Sequence, residues 1–329
     1  MSQPTRVIQY GLGAIGRATA KLALEKSSLK LVGAVDQDPR FAGRDLGDVL
    51  ELGRQLNIPV QPQFTPTPAD AVFHCTGSSF AGVFDQFEAI AKAGLHCVTS
   101  CEEALFPAYR HKELAAKLDK LCAAHGVSLL GTGVNPGFVM DTLALITTAA
   151  CQKVDSVHVT RIVDAGTRRE ALQRKVGAGL TEEEFHRLAK KQQIRHVGLS
   201  ESLALVADGL GWNLDHVDET IAPVIAPKTI QTQFLTVKAG QPAGVRQIAH
   251  GFWQGRERIT LDLQMYVGAP HPCDEIILQS VPPMHVIVHG GTAGDLATPA
   301  IMVNCLPRLM AAKPGLHTMT TIPLPRLIQ

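Results

Sequence analysis

The sequence predicts an α/β protein in which an N-terminal Rossmann domain, a doubly wound parallel sheet, is joined to a second α+β domain built on an open mixed sheet. Three observations lead there. The segment Val7–Gly16, V-I-Q-Y-G-L-G-A-I-G, runs β-forming residues into Gly11, Gly13 and Gly16 with G-x-G-x-x-G spacing. From that point to about Gly133, buried-strand and helix patterns alternate. Past Asn135-Pro136-Gly137 the pattern changes to long strand-like stretches. A chain of 329 residues exceeds what one core serves, so two domains are expected: residues 1–134 plus about 295–329 for dinucleotide binding, and 135–294 for substrate binding and dimerisation.

In chain order, strands are expected near 7–10, 30–35, 71–75, 96–99 and 127–131, with helices near 14–26, 80–93 and 108–125. A helix at about Met140–Cys151 should open the second domain. Strands Ser156–Val163, Thr229–Ala239, Val245–Trp253, Ile259–Val267, Glu275–Leu278 and Val286–Val288 should follow, with helices at Thr181–Gln192 and Ser200–Leu210 over one face. Thr181-Glu182-Glu183-Glu184 is a capping-box start. A final helix, about Ala297–Ala311, should return to the first domain.

The glycine motif predicts a dinucleotide site. Gly11 would allow the tight strand-to-helix turn, Gly13 the approach of a pyrophosphate, and Gly16 close packing of helix on strand. Leu12, Ala14 and Ile15 complete the turn, whose helix N-terminus would carry the anion. Asp36 closes the second strand, where a carboxylate could hold the adenosine ribose hydroxyls and favour NAD, while Arg40 and Arg44 could accept NADP. Thr76, Gly77, Ser78, Ser79 and Ser100 follow later strands at the carboxyl edge where such sheets bind ligands, although the serines could equally cap helices.

Glu102 and Glu103 stand just past the strand His96–Thr99, where a carboxylate of raised pKa could move protons beside a hydride acceptor; Glu102 lies nearer the strand end, and both could instead begin a helix. The loop Gly131–Phe138 crosses to the second domain, with Asn135 placed for a nicotinamide carboxamide or ribose and Phe138 for a pocket wall. Val139, Val163, Arg168 and Thr298 are further candidates for the substrate pocket. Arg161, Arg168 and Arg169 could clamp a carboxylate, but a structural ion network with Asp164 and Glu170 is the favoured reading. His289, at a strand end before Gly290-Gly291, is read as structural or exposed rather than as a pocket residue.

Composition narrows the partners. A formal charge of +1 with 19% charged residues gives no basic stripe for nucleic acid, and no apolar run approaches a membrane span. Met1–Tyr10 lacks the apolar core of a signal peptide, so the chain reads as cytoplasmic, with a small-molecule ligand. Seven cysteines without a C-x-x-C pair fit reduced thiols, and H-P-C-D at 271–274 lacks the partners of a metal site, so no metal is expected.

With these residues assembled, the chain resembles the dihydrodipicolinate-reductase-like superfamily, and within it the native NAD(P)-dependent amine dehydrogenases and the 2,4-diaminopentanoate dehydrogenases. The resemblance spans nearly the whole chain and rests on G-L-G-A-I-G at 11–16, T-S-C-E-E at 99–103, G-T-G-V-N-P-G-F at 131–138, K-V-G-A-G-L at 175–180, G-D-L-A-T-P-A at 294–300 and V-N-C-L-P-R at 303–308. The His-His pair followed by Lys and the Lys with Ser-Gly-Thr of true dihydrodipicolinate reductases are absent from the sequence. The resemblance implies reversible oxidative deamination of a small amine, or reductive amination of a carbonyl compound with ammonia. It also implies NAD or NADP as cofactor, Glu102 or Glu103 as the acid-base group, a dry pocket between the domains, and a homodimer formed through the second-domain sheets. A diamine or amino-acid substrate and a non-catalytic NAD(P)-binding sensor are the alternatives.

Overall fold

The computed structural model describes residues 3–329, which divide into two units: the chain to Phe138 together with Ala293–Gln329, and Val139–Thr292.

The first unit raises six strands in order: β1 (Thr5–Tyr10), β2 (Leu29–Val35), β3 (Val60–Gln61), β4 (Ala71–His74), β5 (His96–Thr99) and β6 (Ser128–Gly131). With the strand Gly315–His317 they form one sheet in the order Gly315–His317, β6, β5, β4, β1, β2, β3, every pairing parallel. β4 and β6 are buried at every position, as strands covered on both faces must be, which is why their sequences show no alternation. Phe80, Phe84, Phe87 and Ile90 pack with Leu118 and Cys122 against Val72 and Leu129 in one core. The helix Ala14–Leu24 buries Gly16, Thr19, Ala20 and Ala23, a stripe of small residues that lets helix Gly294–Met310 pack against it. Strand order reverses at β1 and β4, and an open α/β sheet forms its ligand crevice beyond the carboxyl ends at that point.

The second unit contributes β7 (Lys153–Asp164), β8 (His216–Ile225), β9 (Ile230–Gln231), β10 (Thr236–Val237), β11 (Pro242–Trp253), β12 (Arg256–Tyr266), β13 (Cys273–Val281) and β14 (Met284–His289). Six of them form a mixed sheet, β14-β13-β7-β12-β11-β8, in which only β7 and β12 run parallel. Val157, Val159, Ile259, Leu261, Ile276 and Leu278 are buried on one face, where helix Leu199–Gly209 packs on β11 and β12. The residues one step along the register, among them His158, Thr260 and Ile277, remain at least partly exposed on the other. Thr181 and Glu184 form the expected capping box of helix Glu182–Lys190.

Two elements of this unit differ from the sequence expectation. The long strand expected over Thr229–Ala239 is a tight hairpin of β9 and β10, because the Thr232 hydroxyl accepts the Phe234 and Leu235 N–H groups and turns the chain. Sequence reading passed over β8, whose acids and Pro223 argue against an interior strand; β8 lies at the sheet edge, pairing only with β11, where a proline is tolerated.

The β1 turn admits no side chain at two glycines. Gly11 has φ +91°, and a Cβ there would lie 2.4 Å from the Cys75 carbonyl oxygen; at Gly16 it would lie 1.9 Å from the Gly11 carbonyl oxygen. At Gly13 a Cβ would meet nothing within 4 Å. Gly16→Ala is therefore expected to lower unfolding free energy by about 3 kcal/mol through overpacking, and Gly13→Ala by under about 1 kcal/mol, both read by urea denaturation. Equal losses in the two variants would contradict this account of the turn.

Candidate functional site

The Ala14–Leu24 helix starts at Gly13 with neither a side-chain cap nor an acid in its first turn, whereas Asp45 and Thr181 cap other helices with their side chains. Gly13 and Ala14 are exposed, so the positive end of this helix faces solvent, bare of side chain, as an anion site requires. The turn is braced on both flanks. Gln9 Nε2 donates to the Gly11 carbonyl at 3.0 Å, and Asp36 accepts the Leu12 N–H at 2.6 Å and the Asp38 N–H at 2.8 Å.

Beside the turn opens a cavity of about 410 Å³, taking Gly11 and Gly13 from the turn, Asp36 and Arg40 from beyond β2, and Thr76 and Gln86 from beyond β4. Tyr10 and Phe64, which also line it, stack with ring centroids 5.8 Å apart. An apolar wall, carboxylates at the end of β2 and a bare helix terminus fit the adenosine and pyrophosphate of a dinucleotide. Asp36, Arg40, Thr76 and the glycine turn are thus brought together. Ser79 Oγ accepts the Gly82 N–H at 3.4 Å, a turn-stabilising contact, and Arg44 donates to the Arg40 carbonyl at 3.2 Å.

His74, at the end of β4, was not singled out from sequence, yet it joins the cavity wall to the loop that bears the acids. Its Nδ1 lies 2.8 Å from Thr99 Oγ1, which accepts the Cys101 N–H at 3.0 Å; its Nε2 lies 2.8 Å from Gln86 Oε1 and 2.9 Å from Thr76 Oγ1. With Thr99 accepting from Cys101, its hydroxyl proton is available to Nδ1, which assigns the neutral tautomer with the proton on Nε2 toward Gln86. Complete burial pushes the His74 pKa down to about 4.

The two glutamates occupy different environments. The Glu103 carboxylate accepts the Phe80 N–H at 2.8 Å and pairs with His111 Nε2 at 3.2 Å, while its own N–H donates to the Ser78 carbonyl at 3.2 Å. Two of those bonds tie the acidic turn to the loop after β4, and the third ties it to His111, just before helix Lys112–Ala124. Glu102, half-buried, begins the turn Glu102–Leu105 directly past β5, and its charge raises the pKa values of the Cys75 and Cys101 thiols. Cys75 itself belongs to the cavity wall. Gly131 makes this placement feasible: a Cβ there would stand 2.2 Å from the Ala104 backbone, so only glycine lets the acidic turn lie on β6. Cys75 is held as a thiol by burial, pushed up to about 11, and is unsuited to nucleophilic work.

In the loop after β6, Thr298 Oγ1 accepts the Val134 N–H at 3.1 Å, fastening the loop to helix Gly294–Met310. Asn135 and Phe138 are half-buried on that loop, and Gly77, Ser78 and Ser100 are half-buried at the β4 and β5 ends. In the second unit Val139 is fully buried, and Val163 and Arg168 are half-buried at and beyond the end of β7. Arg161 belongs to an ion network, but not the one expected with Asp164 and Glu170. It pairs with buried Asp274 across the β7–β13 register and donates to the Thr292 carbonyl at 2.7 Å, whereas Glu170 pairs with Arg174. Among the described residues no group of three or more His, Cys, Asp or Glu side chains could hold a metal ion, and no helix is long and apolar enough to cross a membrane.

Fold and site together define the class: a Rossmann-type oxidoreductase with a carboxylate at the carboxyl edge of its parallel sheet. Comparison with known proteins makes this specific. A profile of the 2,4-diaminopentanoate dehydrogenase C-terminal domain matches residues 138–329. The 2,4-diaminopentanoate dehydrogenase of Acetoanaerobium sticklandii is 30% identical over 99% of this chain and 95% of its own, and the amine dehydrogenase of Streptomyces virginiae is 22% identical over 96% of each. The solved amine dehydrogenase of Mycobacterium smegmatis superposes with a TM-score of 0.85 at 24% identity, over 98% of this chain and 97% of that one, and shares the fold. The chain belongs to the 2,4-diaminopentanoate dehydrogenase family and is a nicotinamide-dependent oxidoreductase acting on CH–NH2 groups.

The neutral His74 has a pH signature. Its folded pKa lies near 4, below an unfolded value near 6.5, so the unfolded chain binds the extra proton first and stability falls as pH drops through that window. The full loss is about 3 kcal/mol. Urea denaturation between pH 7 and 4.5 is expected to show a steeper decline for the native protein than for His74→Gln; parallel declines would contradict it.

Proposed function

We propose that the protein catalyses reversible oxidative deamination of a small amine: amine, water and NAD(P)⁺ give ketone or aldehyde, ammonia, NAD(P)H and a proton. The reverse direction is reductive amination of the carbonyl compound with ammonia. The glycine turn, Asp36 and Thr76 would hold the dinucleotide, whose nicotinamide accepts the hydride of the amine-bearing carbon. Glu102 would take a proton from the substrate ammonium and pass it to solvent, so that the nitrogen lone pair can assist hydride loss. It would then take a proton from the water that attacks the iminium and return it to the nitrogen that leaves as ammonia. In reverse the same group returns protons to the carbinolamine hydroxyl, which leaves as water.

The observation that carries this reading is the division of labour between neighbouring acids. Glu103 is bound to a backbone N–H and to His111 and braces the turn, while Glu102 opens that turn directly past the carboxyl end of β5. Asn135, on the loop after β6, would meet the nicotinamide end, and Phe138 and Thr298 would contact the substrate from the first unit. Asp36 favours NAD over NADP, since a carboxylate there binds ribose hydroxyls and repels a 2′-phosphate. The partly exposed sheet face carrying Ile277 and Ile287 suits a homodimer interface. The 30% identity to a diaminopentanoate dehydrogenase over nearly the full chain supports a second reading, a diamine or amino-acid substrate.

The test is NADH oxidation with excess ammonia over a panel of ketones, aldehydes and keto acids, together with amine oxidation that includes 2,4-diaminopentanoate. Glu102→Gln is expected to lower kcat by roughly 10³-fold with NADH affinity within about threefold of native. Glu103→Gln is expected to cost about 1–3 kcal/mol of stability with a smaller kcat loss. Silencing by Glu103→Gln with activity retained in Glu102→Gln would contradict the assignment. Diaminopentanoate turned over well ahead of every monoamine would select the second reading.

A further inference from the structure

The segment after β2 carries an ion pair at the mouth of the cavity that the reading above does not use. Arg40 grips Asp38 with two guanidinium nitrogens: Nε lies 3.0 and 2.9 Å from the two carboxylate oxygens and Nη2 lies 2.5 Å from one. The Asp38 carboxylate also accepts the Arg40 backbone N–H at 2.9 Å. Both residues line the cavity with Asp36 and Phe41. The Arg40 and Arg17 guanidinium carbons lie 5.5 and 5.6 Å from the Phe41 ring centroid, which keeps two cations at this edge.

We propose that Asp38 is a specificity-determining residue: by holding Arg40 in this pair it removes the cation that would receive a ribose 2′-phosphate, and so keeps the pocket selective for NAD. The inference rests on the reading of this cavity as the adenosine site. Asp36 and Asp38 against Arg40 give the wall two negative charges and one positive, a net −1 that opposes a phosphate dianion. Asp36 is held by the Leu12 and Asp38 N–H groups and not by Arg40, so Arg40 depends on Asp38 for its pairing. Proximity to Arg40 holds the Asp38 carboxyl down near 2, so the pair stays ionised at every working pH. Removing the Asp38 charge neutralises the wall and leaves Arg40, with Arg17 beside it on Phe41, to form charge-assisted bonds with phosphate oxygens. Asp38→Asn is the suitable change, because its amide oxygen can still accept the Arg40 N–H and keep the turn.

The experiment is equilibrium binding of NADH and NADPH, followed by nucleotide fluorescence, to the native protein, Asp38→Asn, Asp38→Asn with Arg40→Gln, and Asp36→Ala. Asp38→Asn is expected to tighten NADPH by roughly tenfold while NADH stays within about threefold, and adding Arg40→Gln is expected to return NADPH to the native value. NADPH affinity within about threefold of native in Asp38→Asn overturns the proposal, as does a gain that survives Arg40→Gln. Failure of the underlying reading has a separate signature, an Asp36→Ala variant whose NADH affinity is native, and that outcome overturns both.

Discussion

The contact between the Gly11 carbonyl and the backbone of Gly16 governs the functional end of the first unit. With no Cβ at either position, the helix starting at Ala14 closes directly on the end of β1, and its uncapped terminus faces solvent. The supports around that turn are directional hydrogen bonds rather than packing. Gln9 holds the Gly11 carbonyl from within, and Asp36 reaches from β2 to the Leu12 N–H. The carboxylate that would meet ribose is thus already fixed by the turn that would meet pyrophosphate. Preorganisation of this kind removes the cost of ordering either group when a ligand arrives.

A second set of polar bonds extends from that turn to the acids. Thr76 and Gln86 line the cavity, His74 joins them to Thr99, and Thr99 receives the Cys101 N–H immediately before Glu102. A neutral imidazole is well chosen for this place: it donates and accepts without bringing a full charge into a buried strand end. Glu103 performs a comparable service one residue further on, clamping the acidic turn to Phe80 and His111. Under the proposed mechanism, the residue that moves protons is steadied by a chemically identical neighbour that does not.

Much of the fold was legible because periodicity and glycine spacing report backbone demands. The parallel sheet, the glycine turn and the capping box at Thr181 all follow from local rules that burial does not override. β8 was hidden because an edge strand tolerates the proline and acids that disqualify an interior one. Thr229–Ala239 misled because β-forming residues flank a turn that depends on one hydroxyl, that of Thr232. For the site, sequence placed both glutamates at a strand end but could not separate them, since the distinction lies in the Phe80 N–H and His111, 23 and 8 residues away. His74 had a faint signal, a polar residue closing the apolar strand A-V-F-H. Arg161 shows what local sequence withholds: an ion network is the favoured reading for the three arginines near one strand end, but its expected partners are the nearby Asp164 and Glu170, and the register instead places Asp274 directly across from Arg161.

The central claim, that this site exchanges an amino group for a carbonyl oxygen with hydride transfer at the same carbon, is tested most directly by double labelling. Reductive amination of an accepted ketone is run with ¹⁵N-ammonium and NADH deuterated at C4, and the product is read by mass spectrometry and NMR. The account requires an amine whose ¹⁵N-bearing carbon also carries the deuterium. Deuterium in an alcohol lacking ¹⁵N would contradict it, making the enzyme a carbonyl reductase.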